Sequence, residues 1–151
     1  YWTASTTAAQ EDLDWLKKTL LAGSAPAIVL SHFALAPHLL SGNPYFERKP
    51  GHDRYVQQER IRAILAASGR VVLCLAGHLH ANCWGVADGI VHLAQQSLTE
   101  TFSTRGEPAA AYGLLEIPRA QDLPLTWDVQ GRDALRLRTP LRGGHEHWSA
   151  R

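Results

Sequence analysis

The sequence contains no methionine, so Tyr1 is not a retained translation start. Processing accounts for that, and so does an N-terminal portion outside this chain. Only two cysteines occur, Cys74 and Cys83, too few for a disulfide framework. No apolar run approaches the roughly 18 residues that span a bilayer, and no basic-then-apolar signal segment opens the chain. A membrane-embedded role is therefore not expected, and a cytoplasmic location is. Charge of one sign is also lacking. The formal net charge is +1, which gives no electrostatic footprint for a nucleic-acid polymer.

What remains suits an ordinary globular domain of 151 residues, 45% hydrophobic and long enough to bury a core. In residues 6–23, Leu13, Leu16, Leu20 and Leu21 recur at helical spacing with Trp15 beside them. Thr6 and Thr7 are placed to cap that helix and Gly23 to stop it. "AIVLSH" at 27–32 follows Pro26 and reads as a buried strand. Residues 36–53 are punctuated by Pro and Gly and read as loop. A second helix is expected over 54–68, with Val56, Ile61, Ile64 and Leu65 as its stripe and Gly69 ending it. "VVLCLAG" at 71–77 is another buried strand, and shorter strands are expected at 89–96, 112–118 and 125–129. This order implies a mixed α/β layered fold with an antiparallel portion at its end. Residues 131–151 are Arg-rich without a sustained pattern and read as a tail.

The most informative stretch is "LCLAGHLHANCWG", residues 73–85. Strand alternation would put His78 and His80 on one face, their α-carbons about 6.6–6.8 Å apart, with Leu79 pointing away. Two imidazoles so placed can reach one metal, or serve two ions about 3.5–4 Å apart. Imidazole suits zinc, iron, nickel or copper, and manganese when carboxylates are added. His32 stands at the end of the other apolar strand, and open α/β sheets gather their sites at such carboxyl ends. Three imidazoles from adjacent strand ends make a metal-site nucleus.

"IVLSHFAL", an intervening helix and then "VVLCLAGHLHAN" together resemble the C-terminal half of calcineurin-like metallophosphoesterases. "AQEDLDWLKKTL" is similar to the helix that precedes the first of those blocks in bacterial members. "ADGIVHLAQQSLTE" followed by "AAYGLLEI" is similar to strands of the cyclic-nucleotide phosphodiesterase branch. The resemblance implies a β-sandwich flanked by helices, with residues 1–130 as the C-terminal half of the domain and 131–151 as tail. It implies two divalent metal ions, manganese, iron or zinc. His32 and His78 correspond to ligands of one ion and His80 to a ligand of the other. Such a site hydrolyses phosphoesters by in-line attack of an activated water.

The family's D-x-H, G-D-x-x-D and G-N-H-[DE] blocks are absent from this sequence. They carry the bridging aspartate, the remaining ligands and the catalytic histidine, so no catalytic residue is expected in this chain. The expected partner is an N-terminal half of the same domain, as a separate or cleaved polypeptide. The substrate is a phosphodiester, cyclic nucleotides included, or a phosphomonoester, and a homo-oligomer is compatible. Two alternatives stand beside this. The chain could be a noncatalytic truncated relative that binds or assembles partners. The histidines could also form an unrelated single-metal site with Cys83.

Asn82 is a candidate substrate contact at the rim of the site, or a turn residue. His52 and Arg54 are candidate substrate contacts beside the long loop, together with His38, Tyr45 and Phe46, against solvated surface as the plain alternative. His92 reads as packing and Cys74 as a small core residue. His145 and His147 repeat H-x-H in the tail, without a strand to hold them.

Overall fold

In a computed structural model, which describes residues 6–38, 43–49, 51–119, 123–141 and 147–148, the helices and strands alternate as the sequence implies. The first helix, α1 (Gln10–Ala22), turns Leu13 and Leu20 inward and leaves Trp15 and Leu21 exposed. Neither Thr6 nor Thr7 caps it. Ala9 holds the N-cap position, and the Gln57 amide clasps the preceding Ala8 main chain through bonds of 3.1 and 3.0 Å. At the other end the Arg70 guanidinium donates to Leu20 O at 2.5 Å and Ala25 O at 2.7 Å. That cation satisfies a terminal carbonyl and complements the negative end of the helix. Gly23 matters for room rather than for backbone freedom, since a Cβ there would lie 2.5 Å from Arg70 Nη1. Within the expected loop sits α2 (Pro44–Arg48), capped by Asn43 Oδ1, which accepts from the Tyr45 and Phe46 amides. The third helix, α3 (Gln58–Ser68), begins after Val56, which is exposed, and ends at Gly69 with a left-handed φ of 60°.

The strands, in chain order, are β1 (Ala27–Ser31), β2 (Val71–Ala76), β3 (Cys83–Ala87), β4 (Ile90–Ala94), β5 (Tyr112–Glu116), β6 (Pro124–Gln130), β7 (Leu135–Pro140) and β8 (His147–Trp148). The larger sheet has the order β1-β2-β4-β3-β8. In it β1, β2 and β4 are parallel, while β3 and β8 run antiparallel to their neighbours. The smaller sheet, β5-β6-β7, is antiparallel throughout. One strand was not expected: Cys83 opens β3. One expectation is corrected: the stretch from 131 read as tail contains β7 and β8. β7 alternates leucine with arginine, and Leu137 enters the core while Arg136 and Arg138 stay out.

The two sheets face each other across one apolar layer. Val72, Leu73, Val91 and Leu93 meet Leu125, Trp127, Val129 and Leu137 there. Leu73 and Leu125 are fully buried, each worth about 1.5–3 kcal/mol of burial. Strict alternation would send Val72 and Leu73 to opposite faces. A bulge opposite Ala27 and Ile28 puts an extra residue in β2, so both point into the sandwich. On the other face α1 and α3 pack Leu13, Leu20, Ile61 and Leu65 over Val71, Cys74 and Ile90. β1 ends the larger sheet, with Ile28 and Leu30 exposed on it. Among the described residues no helix is long and apolar enough to cross a membrane.

Candidate functional site

β1 and β2 run parallel with Ser31 opposite Ala76, so the residues that leave them emerge side by side. The Gly77 amide extends the ladder by donating to His32 O at 3.2 Å. His32 Nε2 consequently lies 3.3 Å from His78 Nδ1. The path from His78 to His80 is not strand. β2 stops at Ala76, and the Leu79 amide donates to Gly77 O at 2.6 Å, closing a three-residue turn around His78. His78 and His80 have φ of 61° and 51°, a left-handed conformation in which histidine is one of the more tolerated side chains. Leu79 is buried among Ala34, Phe46, Ala76, Cys83 and Ala94 and pins the turn from below. The two histidines are thus presented by a knot in the loop, not by alternation along a strand. Backbone strain of this kind gathers at functional sites and is held there by surrounding structure.

The outer nitrogens of His78 and His80 are engaged. His78 Nε2 donates to His52 O at 2.8 Å, so in the neutral ring Nδ1 keeps its lone pair toward His32. Burial pulls the His78 pKa below its ordinary value. The His52 carbonyl opposes this, His32 and His80 add to it, and Asp53 opposes it more weakly. His80 Nδ1 bonds the Glu100 carboxylate, whose other oxygen accepts from the Phe102 amide at 2.5 Å. Glu100 is buried while His80 stays half-exposed. The sequence did not single out Glu100. A lone carboxylate in an aperiodic loop after β4 carries no pattern to read.

His52 meets the site through its main chain, and its ring lies edge-on to Tyr45 at 6.2 Å. The Arg54 guanidinium is turned onto Asp53, at 2.7 Å from Nη2 and 3.0 Å from Nε. Asn82 is buried rather than on the rim. Its Oδ1 accepts from the Gln96 amide at 2.8 Å and from Gln95 Nε2 at 3.1 Å, and its Nδ2 donates to Asp133 O at 3.1 Å. Gln96 Nε2 continues to Ser103 Oγ at 2.7 Å and to the Asp133 carboxylate at 3.1 Å. These bonds tie the loop carrying His80, the loop carrying Glu100 and the β6–β7 turn into one unit. Cys83 and Cys74 are both buried, and burial pushes the Cys74 thiol up to about 12. His145 lies outside the described residues, and of His147 only the main chain is described.

Whether these groups suit a metal can be judged from spacing. Two nitrogens bound tetrahedrally at about 2.0–2.1 Å would be about 3.3–3.4 Å apart, and His32 Nε2 and His78 Nδ1 are 3.3 Å apart. The His52 carbonyl on His78 and the Glu100 carboxylate on His80 are the partners that orient metal-binding imidazoles. The donors present fit a metal, but as a fraction of a site. Among the described residues no group of three or more His, Cys, Asp or Glu side chains converges on a metal position. Beside them lies a cavity of about 140 Å³, lined by Asn43, Tyr45, Phe46, His78, His80 and Phe102.

No family model matches the sequence, and no curated protein does. Among solved structures, the chain is similar to the crystal structure of a dimetal phosphatase from Danio rerio, with a TM-score of 0.62 and 16% identity. The match covers 87% of this chain and 38% of that phosphatase, so the chain spans well under half of its neighbour's length. At that identity the likeness is one of fold, and it agrees with the mixed α/β architecture described above.

Proposed function

We propose that this chain is the histidine-bearing part of a metal-dependent phosphoester hydrolase of the calcineurin-like kind. One observation carries the reading: His32 Nε2 and His78 Nδ1 face each other 3.3 Å apart at the ends of adjacent parallel strands. The fold neighbour, a dimetal phosphatase, supports it. In this reading His32 and His78 hold one ion and His80 contributes to a second, manganese, iron or zinc. When bound, two such cations neutralise phosphate oxygens and supply an activated water for in-line attack on phosphorus. His52 fixes the tautomer of His78, and Glu100 orients His80. The bridging carboxylate and the group that protonates the leaving oxygen come from an N-terminal half on another polypeptide. The substrate is a phosphodiester before a phosphomonoester.

Exposed Ile28 and Leu30 on β1 favour such a partner, because an uncovered apolar end strand pairs readily with another chain. The same observation favours the noncatalytic alternative, a module that only binds its partner. Two measurements separate them. Calorimetric titration with Zn²⁺ or Mn²⁺ should show binding by this chain that His78→Ala abolishes. Hydrolysis of bis(4-nitrophenyl) phosphate with manganese should appear only when the complementary polypeptide is added. Full activity from the isolated chain would overturn the half-site reading, and an absence of metal binding would leave the noncatalytic module.

A further inference from the structure

The cavity beside the histidines has walls that the metal reading does not use. Phe46 is buried, stands edge-on to Tyr45 at 5.0 Å between centroids, and lies 5.6 Å from the His78 ring. Phe102 forms the remaining aromatic wall although the residue is 66% exposed. The lining amide, Asn43, is turned away from any ligand. Its Oδ1 accepts from the Tyr45 and Phe46 main chain, and its Nδ2 donates to Leu79 O at 3.2 Å. The slot therefore offers aromatic faces and few hydrogen bonds, with the His78 and His80 imidazoles completing its lining.

Size narrows the occupant. An apolar cavity of roughly 150 Å³ takes a benzene-sized ligand, and this one has about 140 Å³. One six-membered ring fits that volume, whereas a fused bicyclic base exceeds it. Ring position and chemistry are also coupled. Glu100 accepts from the Phe102 main chain with one oxygen and bonds His80 with the other. The same buried carboxylate thus sets the outer wall of the slot and one imidazole of its lining. An occupant would also cover the exposed face of Phe102, removing apolar surface from water.

We propose that this slot receives a single aromatic ring of the substrate, so that the favoured phosphoester is that of a one-ring aryl alcohol. Its place in catalysis rests on the hydrolase reading above, but ring binding itself needs neither metal nor turnover. The test is calorimetric titration of the metal-free 151-residue chain with phenyl phosphate, 1-naphthyl phosphate and methyl phosphate. Phenyl phosphate should bind, and the naphthyl and methyl esters should bind at least tenfold more weakly. Phe102→Ala should weaken phenyl phosphate about five- to tenfold, the scale of one aromatic contact, without changing methyl phosphate. Phe102→Tyr should restore binding, and because the ring is exposed both variants should melt with the parent chain. Naphthyl phosphate binding as tightly as phenyl would overturn the size argument. Unchanged binding in a folded Phe102→Ala chain, or no binding of phenyl phosphate at all, would overturn the slot. Failure to hydrolyse any ester with both metal and the complementary polypeptide present would count against the hydrolase reading alone.

Discussion

His92 and His78 are both withdrawn from bulk water, yet their surroundings differ in kind. His92 sits in the middle of β4, opposite Cys74 and Gly85, on the face that alternation gives to Ile90 and the helices. It is fully buried, and neither ring nitrogen has a hydrogen-bond partner among the described residues. His78 stands at a strand end with one nitrogen on the His52 carbonyl and the other facing His32. The first ring fills space at an energetic cost. The second is held in one tautomer with a lone pair directed at a neighbour. Burial alone therefore does not separate the two rings, whereas directed partners do.

Acid should expose this difference most strongly. Burial pushes His92 down to about 3 and His38 down to about 4, against 6.5 for the free side chain. For His92, neighbouring His38 and Arg62 deepen the shift and Asp88 opposes it; for His38, Asp53 opposes it. A base whose folded pKa is depressed binds its proton more readily in the unfolded chain. The stability it confers is complete above about pH 6.5 and drains away as the pH falls toward 4 and 3. At about 1.4 kcal/mol per unit, His92 accounts for about 5 kcal/mol and His38 for about 3 across that window. Domains of this size are stable by about 5–15 kcal/mol. Urea unfolding between pH 7 and 4 should show a steep loss, and a flat profile would mean that burial does not hold these rings neutral.

Next in size is metal affinity. His78→Ala removes one of the two facing nitrogens, so Zn²⁺ binding by calorimetry should fall at least about a hundredfold, roughly 2.7 kcal/mol. The melting temperature should move little, since His78 is only partly buried and fills no large apolar volume. His92→Ala should do the reverse, with metal binding intact and stability reduced. Parallel losses in both variants would erase the distinction between the two sites.

The sequence already made the ends of β1 and β2 legible, because apolar runs stop there and histidine follows. It did not disclose how the site is held. H-x-H suggests alternation on a strand, but the buried Leu79 anchors a turn, and the turn rather than the strand aims His78. Bulged Val72 hid behind a uniformly apolar run, where period two has nothing polar to mark it. β3 was missed because Cys83, Trp84 and Gly85 extend a loop-like string. β7 was readable in retrospect, since "LRLRT" alternates, but its arginines gave it the composition of a surface tail. Glu100 and Asn82 act through tertiary contacts between loops, which no local pattern encodes.

Asn82→Ala tests whether that scaffold matters to the site. It leaves the buried Gln96 amide without its acceptor, a loss of about 1–3 kcal/mol. It also frees the loop that carries Glu100, so the His80–Glu100 contact should loosen. Nitrogen-15 spectra of the imidazoles should show His80 losing its single tautomer while His78, held from His52, keeps its own. If both rings behave as in the parent chain, the network serves stability and not the site.

The smallest effect is the sharpest probe of the buried ring. His92→Leu removes two unpartnered nitrogens from an apolar setting, and deleting a buried unsatisfied group returns about 1–3 kcal/mol. Replacing a flat ring by a branched chain costs part of that in packing. The net at pH 7 should be a gain of about 1 kcal/mol in urea unfolding. The gain should widen as the pH falls, because a leucine side chain has no proton to bind and the parent imidazole does. At pH 5 the gap should be larger by about 2 kcal/mol, from the unit and a half between pH 6.5 and 5. Metal binding should be untouched throughout. A destabilised His92→Leu chain with an unchanged acid profile would show that the ring has a partner after all, and that both sets of histidines are held by directed bonds.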